Sequence, residues 1–165
     1  MTRRIVVTGA GRGIGLGIAQ KLLANGDEVW GTARTPDTAT ELKDAGAAGC
    51  LALDVGDTAS IEAFGAELAA QVGSIDILIN NAGMTSADLG VDRRAQGPLH
   101  TTKDVVLRQI EVNAVGPMLV TQQVRPLMAE SELPIVLNVS SQLGSMVVGA
   151  KMPFDVGYNL SLIHI

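Results

Sequence analysis

Thr8-Gly9-Ala10-Gly11-Arg12-Gly13-Ile14-Gly15 follows directly on the apolar run Ile5-Val6-Val7 and leads into a segment with helical spacing. Ile14, Ile18 and Leu22 recur at every fourth position, and Gly26 stands where a left-handed residue closes a helix. This pattern predicts a strand over 4–8, a glycine turn, and a helix over 12–25 with those three side chains on its core face. Glycines let a backbone approach an anion closely, and the amides at a helix N-terminus point toward it. The turn is therefore read as a phosphate cradle, with a plain glycine-rich tight turn as the alternative. No Lys-Ser or Lys-Thr follows the glycines, which argues against a Walker loop.

Working outward, Glu28 to Ala33 has the composition and length of a second strand. Thr35-Pro36 supplies a capping hydroxyl before a proline, and Thr38 with Glu41 has capping-box spacing, so a short helix is expected to about Ala45. Cys50 to Asp54 reads as the third strand. Asp57 or Thr58 opens the next helix, with Ile61, Phe64, Leu68 and Val72 as its apolar face. A fourth strand is expected over 75–80, and residues 81–99 lose all period and read as a surface loop. Thr101 and Asp104 form another capping-box pair, opening a long helix to about Ala129 with kinks at Pro117 and Pro126. The fifth strand is Pro134 to Val139. Strand and helix alternate throughout, which predicts an α/β fold with a doubly wound parallel sheet of the Rossmann-like kind.

Composition narrows the function classes. The chain has 165 residues, enough for one core, and is 47% hydrophobic and 18% charged, which argues against disorder. Its net charge of −5 argues against nucleic-acid binding, and no apolar run is long enough for a membrane span. Cys50 is the sole cysteine and is read as a small buried hydrophobe; His100 and His164 are the only histidines, so no metal site is expected. A reducing, cytoplasmic setting fits. Glycine is unusually frequent, 19 residues, so special backbone conformations must matter.

Four motifs then stand in order along the chain: Thr8 to Gly15 with T-G-x-x-x-G-x-G spacing, Asp54-Val55, Asn80-Asn81-Ala82-Gly83, and Asn113 followed by Val139-Ser140-Ser141 and Tyr158. In these the chain resembles the short-chain dehydrogenase/reductase family, and the segments around Asn113 and Ser141 look most like its C-factor and carbonyl-reductase branch. The resemblance implies a dinucleotide site made by Thr8, Gly9, Gly11, Arg12, Gly13, Ile14 and Gly15. It also implies that Asp54, beside Val55, meets the adenine edge, and that Asn80, Ala82 and Gly83 steady the central strand. Turn chemistry is the alternative role for Asp54. Coenzyme choice follows charge: an acid after the second strand suits the ribose hydroxyl of NAD, an arginine the 2′-phosphate of NADP. That strand ends Thr32-Ala33-Arg34, Arg12 lies in the loop, and the nearest following acid, Asp37, stands beyond Pro36. NADP is expected over NAD, unless both arginines are merely solvated charges.

Carbonyl reduction needs a hydride donor, a proton donor and a group that polarises the oxygen. The resemblance implies NADPH for the first, Tyr158 for the second and the Ser141 hydroxyl for the third. Within a helix Pro117 cannot donate to the carbonyl of Asn113, so a kink and a water-holding carbonyl are expected there. In the family the matching asparagine anchors a proton relay. One element departs from the pattern: the family's Y-x-x-x-K places lysine four residues after the tyrosine, where this chain has Leu162, and Lys151 does not match the motif. Leu160 to Ile165 resembles the translation of a transposon-end adapter. Residues 1–159 are thus expected to form a dinucleotide-binding oxidoreductase domain, incomplete at its C-terminal side, and 160–165 a scar. The helix beginning near Tyr158 is expected to be lost, and a strand edge exposed. The expected function is hydride transfer between NADPH and a small carbonyl or alcohol, in a parent that is a homo-oligomer, with the 165-residue chain itself expected to be inactive. The alternative is a non-catalytic dinucleotide-binding or signalling module.

Overall fold

A computed structural model describes residues 2–149 and 155–163; Lys151, His164 and Ile165 lie outside them. In chain order the regular elements are β1 (Arg4–Val7), α1 (Gly13–Ala24), β2 (Glu28–Ala33), α2 (Thr40–Asp44), β3 (Gly49–Ala52), α3 (Thr58–Gln71), β4 (Ile77–Asn80), α4 (Lys103–Ile110), α5 (Gly116–Val124), β5 (Ile135–Asn138), α6 (Met146–Gly149) and α7 (Val156–Ile163). The chain divides into two compact units, Met1–Ala82 with Leu119–Val139, and Gly83–Met118 with Ser140–Ile165.

The first unit holds the whole sheet, in the order β3-β2-β1-β4-β5 with every neighbouring pair parallel. β1 is central because Ile5, Val6 and Val7 are apolar without alternation, and all three are fully buried. Ile5 and Val7 share one core with Val29, Ile77, Ile79, Leu16, Ala19 and Leu42. Ile61, Phe64 and Leu68 of α3 and Val120 and Val124 of α5 are also buried. Strand order reverses between β1 and β4, the switch point at which open α/β sheets bind ligands. At the sheet's edge β5 is exposed along its length, an apolar edge of the kind that invites pairing.

Ile14 is 71% exposed, because the core face is Leu16 and Ala19 and Ile14 stands on nearly the opposite side of the helix from both; Ile18 and Leu22 are half-buried. Neither Thr35 nor Thr38 caps α2. Pro36–Thr38 winds as a 3-10 turn instead, and Ala39 precedes the helix. β3, β4 and β5 differ from the expected spans at their ends, running Gly49–Ala52, Ile77–Asn80 and Ile135–Asn138. Asp57 does cap α3, accepting from the Ala59 amide at 3.1 Å.

Two carboxylates pin the starts of strands. Asp27 accepts from Arg3 Nε at 3.0 Å and from the guanidinium NH2 at 2.7 Å, and this arginine holds its carboxyl below the usual range. Asp76 is lowered chiefly by the Arg4 amide at 2.8 Å, then by the Ser131 hydroxyl at 2.7 Å. Groups whose folded pKa is depressed bind fewer protons folded than unfolded, so their stabilisation is present above the unfolded value and is lost as pH falls through the folded one. Stability to urea is expected to stay level near neutrality and to fall below about pH 4. Asp76→Asn keeps one of the two acceptor oxygens, for the Arg4 amide, and lets the Ser131 hydroxyl accept from the new amide, so it should flatten that fall; an unchanged acid limb in urea melts at stepped pH would count against the assignment.

The second unit carries α4, α6 and α7. Thr102, rather than Thr101, caps α4 by accepting from the Val105 amide at 3.4 Å. The long helix expected to Ala129 is interrupted: Glu111–Val115 forms a π turn between α4 and α5, and Arg125–Met128 a 3-10 turn. Pro117, which cannot complete an α-helical ladder, stands just beyond the π turn. Residues 81–99 are not wholly superficial, since Ser86, which opens the 3-10 turn Ser86–Leu89, and Gln96, which follows the turn Arg93–Ala95, are buried. The helix expected to be lost beyond Tyr158 forms as α7, with Ser161 and Leu162 buried.

Candidate active site

At the end of β1 the chain turns through Gly9 and Gly13, both left-handed at φ +66° and +58°. Gly9 and Ala10 spend their amides on Thr32, at 3.2 Å to its Oγ1 and 2.9 Å to its carbonyl. Arg12 is extended and precedes α1; Leu16 donates to the Arg12 carbonyl at 3.3 Å. The three amides ahead of it, those of Gly13, Ile14 and Gly15, belong to the first turn, which by geometry has no intrahelical acceptor. No acid stands in that turn. Gly15 packs so closely that a Cβ would strike the Gly9 carbonyl and the Asn81 side-chain amide. This is a cradle shaped for close approach at the positive end of a 12-residue helix.

The turn after β4 is tied to it. Thr8 is buried, and its hydroxyl accepts from the amides of Asn81 and Ala82, both at 2.9 Å. Asn81 Nδ2 donates back to the Thr8 carbonyl at 2.9 Å and to Gly9 at 3.3 Å. Asn80 donates to Asn138 Oδ1, its register partner on β5, at 2.9 Å and to Thr121 Oγ1 at 3.1 Å. Asn81 belongs to the motif expected to steady the central strand, whereas Thr32 was not among the expected site residues and nothing in the sequence marks it.

Arg34 is exposed just past β2. Asp37 turns out to solvent and meets Lys43 at 3.8 Å. Asp54 accepts from the Gly56 amide at 2.9 Å through Oδ1, a turn role, and Val55 beside it is buried. Cys50 is half-buried, and burial pushes its thiol up, away from nucleophilic character.

The second unit gathers Asn113, Ser141 and Tyr158, with Gly83 exposed at its start. Asn113 is buried in the π turn, and its side chain is committed: Oδ1 accepts from the Met84 amide at 2.7 Å, and Nδ2 donates to the Met84 carbonyl at 2.8 Å and to Ser161 Oγ at 2.9 Å. Any proton-relay role therefore falls to its backbone carbonyl. Ser161 Oγ donates in turn to the Tyr158 carbonyl at 2.8 Å. Ser141 accepts from the Leu143 amide at 3.2 Å, which leaves its hydroxyl proton for another acceptor. Tyr158 is half-buried, with the Arg93 guanidinium carbon 5.7 Å from its ring centroid. Among the described residues no group of three or more histidine, cysteine, aspartate or glutamate side chains could hold a metal ion, and no helix is long and apolar enough to cross a membrane.

A family model described as short chain dehydrogenase matches residues 3–154, more than nine-tenths of the chain. The chain belongs to the short-chain dehydrogenase/reductase family. It is 36% identical to the 3-oxoacyl-acyl-carrier-protein reductase of Escherichia coli over 166 positions, covering 95% of this chain and 64% of that protein. It is 32% identical to an NADP-dependent 3-hydroxy acid dehydrogenase of Salmonella typhi, covering 96% of this chain and 64% of that one. A solved short-chain dehydrogenase from Streptomyces avermitilis superposes with a TM-score of 0.84 at 30% identity, over 99% of this chain and 56% of its own. This short-chain dehydrogenase chain thus spans between half and two thirds of the length of the relatives it matches. A dinucleotide fits the residues present: a diphosphate needs a glycine-lined approach and unopposed helix amides, and the Gly9–Gly15 turn has both.

Proposed function

We propose that this short-chain dehydrogenase/reductase chain is the coenzyme-binding part of an NADP-preferring oxidoreductase acting on a small carbonyl or alcohol. The observation that carries the reading is the glycine turn at the switch point of the sheet, left-handed at Gly9 and Gly13, opening a helix whose first turn lacks an acid. The coenzyme, when bound, supplies the hydride. The amides of Gly13, Ile14 and Gly15 would hold its diphosphate, Asp54 and Val55 its adenine end, and Asn80, Ala82 and Gly83 the strand end beside it. Ser141 would donate to the substrate oxygen, Tyr158 would pass the proton, and the Asn113 carbonyl would anchor the relay. A cytoplasmic setting, a small-molecule substrate and a homo-oligomeric parent go with this reading.

Preference for NADP rests on Arg34 and Arg12 against Asp37, which is turned outward toward Lys43; the NADP-dependent relative named above supports it. Calorimetry should find NADPH bound more tightly than NADH. A charge-assisted contact is worth about 1.5–3 kcal/mol, so Arg34→Asp should shift the NADPH:NADH affinity ratio by roughly 10- to 100-fold toward NADH. An unmoved ratio would remove Arg34 from the assignment, and no heat with either coenzyme would remove the function.

Leu162 favours a second reading, binding without turnover. It stands where the family has lysine, and its side chain is buried beside Ser161 rather than offering a cation to the phenol. Coenzyme binding with no NADPH consumption across a carbonyl panel, in both the unaltered chain and Leu162→Lys, would favour that reading.

A further inference from the structure

Asp155 lies three residues before Tyr158 and is completely buried. Its backbone is left-handed, at φ 60°, and its carbonyl accepts from the Asn159 amide at 3.0 Å, so it opens α7. An aspartate in that position ordinarily folds its carboxylate back onto the first amides of its own helix. This carboxylate is directed elsewhere. Its Oδ2 accepts from the Ser86 amide at 3.2 Å, the Ser86 hydroxyl at 2.9 Å and Arg93 Nε at 3.3 Å, and its Oδ1 accepts from Gln109 Nε2 at 2.7 Å. One buried acid therefore joins the 86–95 turns, α4 and the start of α7. The contact with α4 is close, since a Cβ on Gly157 would strike Gln109 Oε1.

None of these contacts serves the chemistry proposed above, yet they converge on its proton donor. Arg93 bonds the carboxylate through Nε, and its guanidinium carbon lies 5.7 Å from the Tyr158 ring centroid, within cation–π range. α7 fixes only the Cα of Tyr158; its two side-chain torsions decide where the hydroxyl goes. A catalytic hydroxyl must be held to about 0.5 Å to be useful.

We propose that Arg93 is a positioning residue for Tyr158, with Asp155 as the anchor that aims it: the carboxylate fixes the guanidinium plane, and the guanidinium lies on one face of the ring and holds the phenol in a single orientation. The functional meaning of this device rests on the reading of Tyr158 as proton donor, but the ring's orientation can be measured without turnover.

Tyr158 is the only tyrosine in the chain, so replacement of tyrosine by 3-fluorotyrosine gives one 19F signal that reports this ring alone. Arg93→Met keeps the aliphatic stem and removes the cation. It should move the signal toward its position in the urea-unfolded chain, with far-UV circular dichroism unchanged. Arg93→Lys keeps a cation within reach and should recover part of the displacement. Asp155→Asn is the informative partner, because asparagine tolerates the left-handed backbone and keeps an oxygen for Ser86 and Arg93, while the charge is lost and the second oxygen becomes an amide nitrogen that Gln109 can meet through Oε1. It should move the signal in the same direction, and the double variant should move it no further than Arg93→Met alone. A signal unmoved by Arg93→Met overturns the proposal, as do displacements that simply add in the double variant. Should Asp155→Asn fail to fold, the Arg93 variants still decide. Absence of coenzyme heat would defeat the proposed function while leaving the fluorine result standing, so the two failures are distinguishable.

Discussion

Gly15→Ala is expected to destabilise the first unit by about 1–3 kcal/mol, whereas Gly17→Ala, two residues along the same helix, is expected to stabilise it by about 0.5–1 kcal/mol. Both changes add one methyl group to α1 and improve its helix propensity equally. They differ in what the methyl meets. At Gly17 nothing lies within 4 Å, so only the backbone gain remains. At Gly15 the methyl would strike the Gly9 carbonyl and Asn81 Nδ2, and neither can retreat. Gly9 is held by its own amide on Thr32 Oγ1 at 3.2 Å, and Asn81 by the Thr8 carbonyl at 2.9 Å. The turn must open to admit the methyl, and opening moves the amides of Gly13 to Gly15 off the axis along which a diphosphate would approach. Thermal melts should separate the two variants, by about 2–4 °C for each kcal/mol at this chain length. A Gly15→Ala midpoint at or above that of the unaltered chain would mean that the packing around the turn is looser than these contacts.

The parts of this fold legible in the sequence are those written in short-range pattern. Apolar runs at Ile5-Val6-Val7 and Glu28 to Ala33, the 3-4 spacing of Ile61, Phe64 and Leu68, and the glycine spacing each need only a few neighbouring residues to be read, and each gives its element. Ile14 misled because a recurrence at every fourth position does not say which side of the helix meets the sheet, and the buried side runs through Gly15, Leu16 and Ala19. Pro117 marked a break near Asn113, but a proline does not specify that the ladder will widen into a π turn at Glu111–Val115. The contacts around Tyr158 were illegible for a different reason. Asp155 finds Ser86 across 69 positions and Gln109 across 46, with no period connecting them. Asn113 read as a source of a carbonyl, and its side chain proved to be the brace between Met84 and Ser161. Motif resemblance named the groups that would do chemistry. It did not name Thr32 or Arg93, whose contacts exist only once the chain is folded.

Thr8→Val is expected to cost about 2–5 kcal/mol. The Thr8 hydroxyl is the acceptor for two backbone amides, those of Asn81 and Ala82, each at 2.9 Å, and Thr8 itself is 1% exposed. Valine fills the same space with a methyl group and leaves both donors facing carbon. Each buried donor left unsatisfied costs about 1–3 kcal/mol, and water has no room to replace the oxygen where the threonine is sealed. Thr8→Ser is the control, since it keeps the acceptor and loses only a methyl group, about 0.8 kcal/mol by burial. Urea midpoints should fall in the order native, Thr8→Ser, Thr8→Val without a change in slope, which would signal an altered unfolded state instead. Amide exchange gives the residue-level reading: Asn81 and Ala82 should lose protection in the valine variant and keep it in the serine one. Equal midpoints for the two variants would show that the amides find other acceptors. The effect should extend to coenzyme affinity, because the same hydroxyl sits between the glycine turn and the turn after β4, and Asn81 reaches back from the second to brace the Thr8 and Gly9 carbonyls of the first. Loss of affinity beyond that of Thr8→Ser, measured at a temperature where both variants are fully folded, would mean that this threonine shapes the cradle as well as stabilising it.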